Sequence, residues 1–289
     1  MVRAVVRPGK TNTILGEKQM PYLKKVSRVL PGLICLILDD SISMAELLLG
    51  TSDSKYQWVA RLFGILLKEM LVRSTELKGD TVVVKPRYHV IVIIYGSQPT
   101  LWGDGLMDIE RAVKLYTDSG NSLGLGGNLS GTNAQAAFAV ARDQLRAATA
   151  DQRFRDAFPA LLYHLTDGES QTDATALAQE IMGLSTTDGN LLVANAFIGT
   201  RTSLNYSGPE DFTGYVDPSE AGPSADNLRL FAMSSPVPAA IHQNLVGDGI
   251  FPKLREGARL FFDIRTKEML KHAIQVVGSL GSRAGREER

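Results

Sequence analysis

Apolar runs of strand length alternate along this chain with longer segments of helical period, a pattern that predicts a largely parallel sheet with helices on both faces. Leu33 to Leu38 is an unbroken apolar run that ends at Asp39-Asp40 and reads as the first strand. From Lys55 to Ser74, apolar residues including Trp58, Leu62, Ile65, Leu66 and Met70 recur at three- and four-residue steps, which predicts a long amphipathic helix. Tyr88 to Tyr95 (YHVIVIIY) is β-branched and aromatic and stops at Gly96-Ser97-Gln98-Pro99, so it is a second strand closed by a turn. Thr100 to Leu106 fits a short edge strand. Ala134 to Thr149 is alanine-rich, has no breaker and follows Thr132-Asn133, which can cap it as a helix.

Ala160 to Leu165 reads as a buried strand, Thr172 to Leu184 as a helix, Leu191 to Ile198 and Arg229 to Met233 as strands, and Lys267 to Val277 as the closing helix. Gly199 to Asn227 is rich in Gly, Pro, Ser, Asp and Asn, which predicts a long surface loop too polar to hold a core. Pro236 to Asp263 is ambiguous: it admits a helix over Val237 to Val246 and a strand-like core over Ala258 to Asp263. No internal repeat is visible. The expected organisation is one α/β domain over 31–280, Rossmann-like and doubly wound, preceded by a basic extension over 1–30 and followed by a disordered tail over 281–289.

Composition is that of an ordinary globular protein, with 44% hydrophobic and 21% charged residues among 289. The single cysteine, Cys35, lies inside the first strand, excludes an internal disulfide and suggests a reducing compartment. The N-terminal residues are interrupted by charge, and no run of about 18 apolar residues follows, so a cytoplasmic location without membrane insertion is expected. Net charge is zero but uneven: seven Lys/Arg against Glu17 in residues 1–30, and 18 acids against eight bases in 101–252. The basic arm is a solvated extension or a docking element for an anionic partner. No general nucleic-acid footprint results. Lysine is absent between Lys114 and Lys253, so the middle of the chain cannot supply the lysine of a phosphate-binding loop.

At the end of the first strand the chain reads Leu38-Asp39-Asp40-Ser41-Ile42-Ser43-Met44, a DxSxS spacing that lets a tight loop turn Asp39, Ser41 and Ser43 toward one point. Carboxylate and hydroxyl oxygens are hard ligands, suited to Mg²⁺, Mn²⁺ or Ca²⁺. Alone, the pentapeptide fits a serine-rich surface turn equally well. Two further features change that balance: Gly131-Thr132-Asn133 follows the glycine-rich run Gly120 to Gly127, and Thr166-Asp167-Gly168 follows the strand of Ala160 to Leu165. Asp39 and Asp167 then both lie at the carboxyl edge of parallel strands, where open α/β sheets place ligand sites.

In order and placement, DxSxS, a Gly-Thr turn and a strand-terminal TDG resemble the metal-ion-dependent adhesion site of von Willebrand factor A domains, over roughly Leu30 to Val277. Ser43-Met44 is similar to intracellular bacterial members. The resemblance implies a divalent ion, Mg²⁺ foremost, bound through the hydroxyls of Ser41, Ser43 and Thr132, with Asp39 and Asp167 acting mainly through bound waters or, for Asp167, directly when no partner is present. It also implies that the first strand lies beside the strand bearing Asp167. Ile42 stands where the family often has glycine. The implied function is a non-enzymatic protein-binding module, gripping an Asp or Glu of a protein partner, with kinase, phosphatase or AAA-type ATPase assemblies as the family context.

Other readings carry less. Asp40, Glu46, Glu169 and Asp173 are expected to solvate loops and complement helix N-termini, an extra metal or catalytic carboxylate being the alternative. His164 alternates with Tyr163 and Leu165 inside a strand and is expected to be buried and hydrogen-bonded. No GxSxG or Cys/His nucleophile arrangement is present. An Mg²⁺-dependent phosphohydrolase or phosphotransferase using Asp39 would need a second aspartate where Ser41 stands. A scaffold with a purely structural metal is the remaining alternative.

Overall fold

The computed structural model describes residues 22–48, 50–168, 170–199 and 206–279. The basic extension, apart from 22–30, and the tail at 281–289 lie outside the described residues, as does Glu169. Eleven strands are present among the described residues: β1 Gly32–Asp39, β2 Thr75–Lys78, β3 Thr81–Val84, β4 Tyr88–Tyr95, β5 Pro99–Leu101, β6 Met107–Asp108, β7 Leu161–Thr166, β8 Ser185–Thr186, β9 Gly189–Asn190, β10 Leu192–Ile198 and β11 Phe261–Ile264. Eight helices accompany them: α1 Lys55–Arg73, α2 Ile109–Asp118, α3 Ala134–Ala150, α4 Gln152–Arg155, α5 Thr175–Gly183, α6 Ala225–Ala232, α7 Ala239–Gly247 and α8 Lys267–Ser279. The main sheet runs β11-β10-β7-β1-β4-β5, with β6 also on β4. Its central pairs are parallel, and only the short β5 and β6 pair antiparallel to β4.

The continuous apolar character of β1, β4, β7 and β10 follows from burial on both faces, since alternate residues enter opposite layers. Ile34, Leu36 and Leu38 point with Val90 and Val92 into a core closed by α1, α2, α7 and α8. Leu33, Cys35 and Ile37 point with Ile91 and Ile93 into a second core under α3 and α5. Cys35 is fully buried, the small-hydrophobe role expected of it. The start of α1 is set by a capping box, Ser54 accepting from the Gln57 amide while Gln57 Oε1 accepts from the Ser54 amide. From β1 the chain passes to β4 on one side and later to β7 on the other, so the sheet's switch point lies between β1 and β7.

Two expectations fail in the C-terminal third. Arg229 to Met233 is not a strand. It is the second half of α6 with Met233 as the C-cap, and the helix starts at Ala225 within the expected loop and turns Leu230 and Phe231 into the core while Leu228 stays exposed. A five-residue apolar run does not separate helix from strand by itself. Nor is 206–227 a polar excursion; 200–205, the rest of the expected loop after Gly199, lie outside the described residues. Phe212, Tyr215 and Ala221 are fully buried. Phe212 packs at 5.1 Å between ring centroids from Phe251, and Tyr215 at 4.9 Å from Phe261. Arg255 ties the segment down by donating to the Gly214 carbonyl at 2.6 Å and Glu220 at 2.7 Å. Isolated aromatics in a polar string show no period, because their partners lie 40 or so residues away. The Val237 to Val246 helix and the strand core before Asp263 are present as α7 and β11. The β2–β3 hairpin, α2 and the β8–β9 hairpin were not foreseen.

A polar chain crosses the core at the middle of the sheet. Asn195 donates from Nδ2 to Ser234 Oγ at 2.9 Å, which leaves its Oδ1 to accept from His164 Nδ1 at 2.9 Å. The Nε2 of His164 then accepts from the Tyr95 hydroxyl at 2.8 Å. Burial, partly opposed by the Asn195 hydrogen bond, holds the imidazole pKa down to about 4 from its ordinary 6.5. His164 is therefore the buried, hydrogen-bonded residue expected.

Two outcomes follow from this packing. Phe212→Ala should lower unfolding free energy in urea by about 3–5 kcal/mol, whereas a loop residue would cost under about 0.5 kcal/mol. For His164, the unfolded chain takes up a proton below pH 6.5 while the folded chain resists until about 4, so stability is present above 6.5 and lost as pH falls. The deficit of His164→Gln relative to the parent should shrink by about 3 kcal/mol between pH 7 and pH 4. A deficit independent of pH would mean the imidazole does not titrate differently on unfolding.

Candidate functional site

Register puts the site residues where they are. Asp39 is opposite Tyr95 across the β1–β4 pair, and on the other side Leu38 is opposite Leu165, so Thr166 and Asp167 emerge from β7 beside Asp39. Asp39 is fully buried. Its Oδ1 accepts from the Ser41 amide at 2.9 Å and its Oδ2 from Thr166 Oγ1 at 2.7 Å, while the Tyr95 hydroxyl, whose proton goes to His164, lies 3.4 Å from Oδ2. Burial pushes its pKa up to about 6, and the nearby Asp167 adds to the rise, against hydrogen bonds from Ser41 and Thr166.

After Asp39 the chain turns at once into a short 3-10 turn over Ile42–Ala45. This folds Ser41 and Ser43 onto one side, their hydroxyl oxygens 3.1 Å apart, while Ile42 points out at 64% exposure. The DxSxS turn thus pairs its two hydroxyls, while Asp39 engages the Ser41 amide.

Asp40 departs from expectation. It is buried, not a solvating loop residue, and its Oδ1 accepts from the amides of Gly126 at 2.9 Å and Gly127 at 2.6 Å. Burial raises its pKa despite those two bonds. The glycines are needed for this approach: at Gly127 (φ +58°) a Cβ would meet the Ala45 amide nitrogen at 2.7 Å, and at Gly96 one would meet Leu129 Cβ at 2.4 Å. With the Leu129 amide on the Asp40 carbonyl, the loop is docked against the β1 turn, and it delivers Thr132, which is 5% exposed. The carbonyl of Thr132 accepts from the Gln171 amide at 3.0 Å and Ser170 Oγ at 3.3 Å, which ties the Thr132 loop to the one that follows Asp167. Among the described residues its hydroxyl makes no hydrogen bond. Asn133 caps α3, accepting from the Ala136 amide at 3.0 Å.

Asp167 is 6% exposed. Its Oδ2 accepts from Lys55 Nζ at 3.1 Å, and its Oδ1 is buried with no hydrogen-bond partner among the described residues. Lys55, which sequence reasoning passed over as the first residue of a helix, also donates to Glu46 Oε2 at 2.7 Å and the Ser43 carbonyl at 3.2 Å. Burial pulls its pKa down, but hydrogen bonding and charge from Glu46 and Asp167 outweigh that and leave it above the ordinary lysine value. Of the remaining acids, Asp173 does complement a helix N-terminus, accepting from the Thr175 amide at 2.8 Å.

Three loops at the carboxyl edge of β1 and β7 thus carry Asp39, Ser41 and Ser43, then Thr132, then Asp167. The donors are oxygens only, with two carboxylates and three hydroxyls, and an unsatisfied buried carboxylate oxygen costs free energy unless something positive meets it. That chemistry suits a hard divalent cation. Among the described residues no cluster of three or more His, Cys, Asp or Glu offers an alternative metal site, and no helix is long and apolar enough to cross a membrane.

No family model and no curated protein matches the sequence. Solved structures do share the fold. The pilus adhesin SpaC from Lactobacillus rhamnosus GG aligns with a TM-score of 0.54 at 11% identity, covering 89% of this chain and 31% of its own. A von Willebrand factor type A structure from Catenulispora acidiphila aligns at 0.48 and 14% identity, over 86% of this chain and 43% of its own. An aerotolerance-related membrane protein from Bacteroides fragilis NCTC 9343 aligns at 0.46 and 14% identity, over 84% and 96%. The chain spans under a third of the adhesin, and the likeness is one of fold. It is a mixed α/β protein with a mainly parallel central sheet, and its solved structural neighbours include von Willebrand factor A proteins.

Proposed function

We propose that this chain is a von Willebrand factor A-type interaction module that grips an acidic residue of a protein partner through a divalent ion, Mg²⁺ foremost, with Mn²⁺ and Ca²⁺ as substitutes. The observation that carries the reading is Asp167 Oδ1, buried and without a hydrogen bond among the described residues, at the switch point where Lys55 joins Asp167 to the turn that pairs the hydroxyls of Ser41 and Ser43. Ser41, Ser43 and Thr132 would hold the ion through their hydroxyls, and Asp39 and Asp167 would balance its charge. When bound, the ion supplies an electrophilic centre with room for one outside carboxylate. The protein's own contribution is orientation: Thr166 and the Ser41 amide hold Asp39, and Asp40 holds the glycine loop that carries Thr132. One fold neighbour, SpaC, is a pilus adhesin, which accords with an interaction role.

Phosphoryl transfer on Asp39 is the weaker reading. A nucleophile must be reachable, yet this carboxylate is fully buried with both oxygens engaged. We place the module in the non-enzymatic class on that ground.

Titration with Mg²⁺ or Mn²⁺ tests the reading. At about 100 times the dissociation constant, a bound ion stabilises by about 2.7 kcal/mol, which raises the melting temperature by roughly 5–10 °C for a domain of this size. Thr132→Ala should abolish that rise while leaving the melting point in EDTA nearly unchanged, because the Thr132 hydroxyl makes no hydrogen bond among the described residues. Partner capture from extract should disappear in EDTA. Partner retention in EDTA together with a metal-dependent melting point would instead favour a structural metal, and no melting response to any of the three ions would sink the metal reading.

A further inference from the structure

Lys55 is out of place as a helix residue. It is the first residue of α1, where the aligned peptide dipoles disfavour a cation, and the first turn holds no acid to compensate. Its side chain is only 12% exposed, although an ammonium gives up strong hydration when buried. What offsets both costs lies in the candidate site: Asp167 Oδ2, the Ser43 carbonyl and, at the rim, Glu46. Two of these three acceptors belong to residues assigned above to the ion. Asp167 is divided, one oxygen on the ammonium and the other buried without a hydrogen-bond partner among the described residues.

We propose that Lys55 is a built-in cation that competes with the divalent ion for Asp167 and the Ser43 turn, and so sets how tightly the site holds metal. The inference rests on the metal reading above and adds to it a residue that the DxSxS, Gly-Thr and TDG motifs do not contain. An ammonium and a dication that share one carboxylate repel each other and divide its charge. The ammonium therefore weakens the ion's hold. In the metal-free protein it also satisfies an acid that would otherwise be buried without a counter-charge, so the loops remain assembled. With Asp39, Asp167 and the rim Glu46 ionised, the loaded site carries three negative charges against three positive ones, so an incoming carboxylate meets a balanced site and not a negative one. A neutral residue at 55 would leave the loaded site net negative and the ion more firmly held.

The test is Mn²⁺ binding by calorimetry to the full chain and to Lys55→Met, Lys55→Gln and Lys55→Arg, with melting curves in EDTA to show that each variant folds. Removing the charge should tighten Mn²⁺ by about tenfold or more, since even water-screened repulsion between a monovalent and a divalent charge at contact range reaches that size. Arginine, which keeps the charge, should stay within about threefold of the parent on the same reasoning. The melting temperature of Met and Gln variants should fall in EDTA and rise more on adding Mn²⁺ than that of the parent. Having both neutral variants keeps the test open if one fails to fold. Affinity unchanged or weaker in the neutral variants, with the parent binding Mn²⁺ normally, overturns the role of Lys55 and leaves the metal reading standing. No Mn²⁺ uptake by any of the chains overturns both.

Discussion

Everything at the carboxyl edge of the sheet is arranged around the burial of one charge-bearing group, the carboxylate of Asp39. It sits at the end of the central strand, flanked in register by Tyr95 on β4 and by Thr166 on β7, and it has no exposed surface. A carboxylate in that position is tolerated only when its lone pairs are met, and the Ser41 amide and the Thr166 hydroxyl meet them. The Ser41 contact forces the chain to turn immediately after β1, which is what brings Ser41 and Ser43 side by side. The Thr166 contact anchors the exit of β7, which sets the direction in which Asp167 leaves the sheet.

A second layer of acid chemistry builds on the first. Asp40 looks the other way and binds backbone instead of side chains, so two adjacent aspartates divide the work: one faces the strand ends and one holds the glycine-rich loop. The low polarity of the surroundings makes each of these bonds strong and each loss expensive. The Tyr95–His164–Asn195–Ser234 chain extends the same polar system across the sheet to the start of the segment after α6. The edge that carries the candidate ligands is therefore joined to the core by hydrogen bonds as well as by packing.

Much of this was legible from residues near one another in sequence. The period of β1, β4, β7 and β10, the helices α1 and α3, and the positions of Asp39, Ser41, Ser43, Thr132 and Asp167 at strand ends and turns all depend on local pattern, which a single sequence displays. What was hidden depends on distance. Lys55 carries no local mark of its role, because the groups it meets are Ser43, Glu46 and, 112 positions on, Asp167. A signal did exist: a lysine in the first turn of a helix, against the dipole, asks for an anion elsewhere. Asp40 was read as solvated because its neighbours in sequence are polar, whereas its partners, Gly126 and Gly127, are 86 and 87 positions away. Phe212 and Tyr215 were hidden in the same way by the polarity of the residues around them.

The wrapped segment around Phe212 and Tyr215 has a bearing on solubility. The last strand of the sheet, β11, is an edge of only four residues, and such edges offer unpaired backbone groups to any passing strand. Because the carbonyls of Leu260 and Ile264 face β10, that of Asp263 faces outward, and the Tyr206 hydroxyl covers it. Just before the strand, the Arg259 amide is taken up by the Tyr215 carbonyl at 2.9 Å. A stretch that looks like spare loop is thus a guard on the open side of the sheet, and shortening it would expose a template for self-association as well as weaken a core.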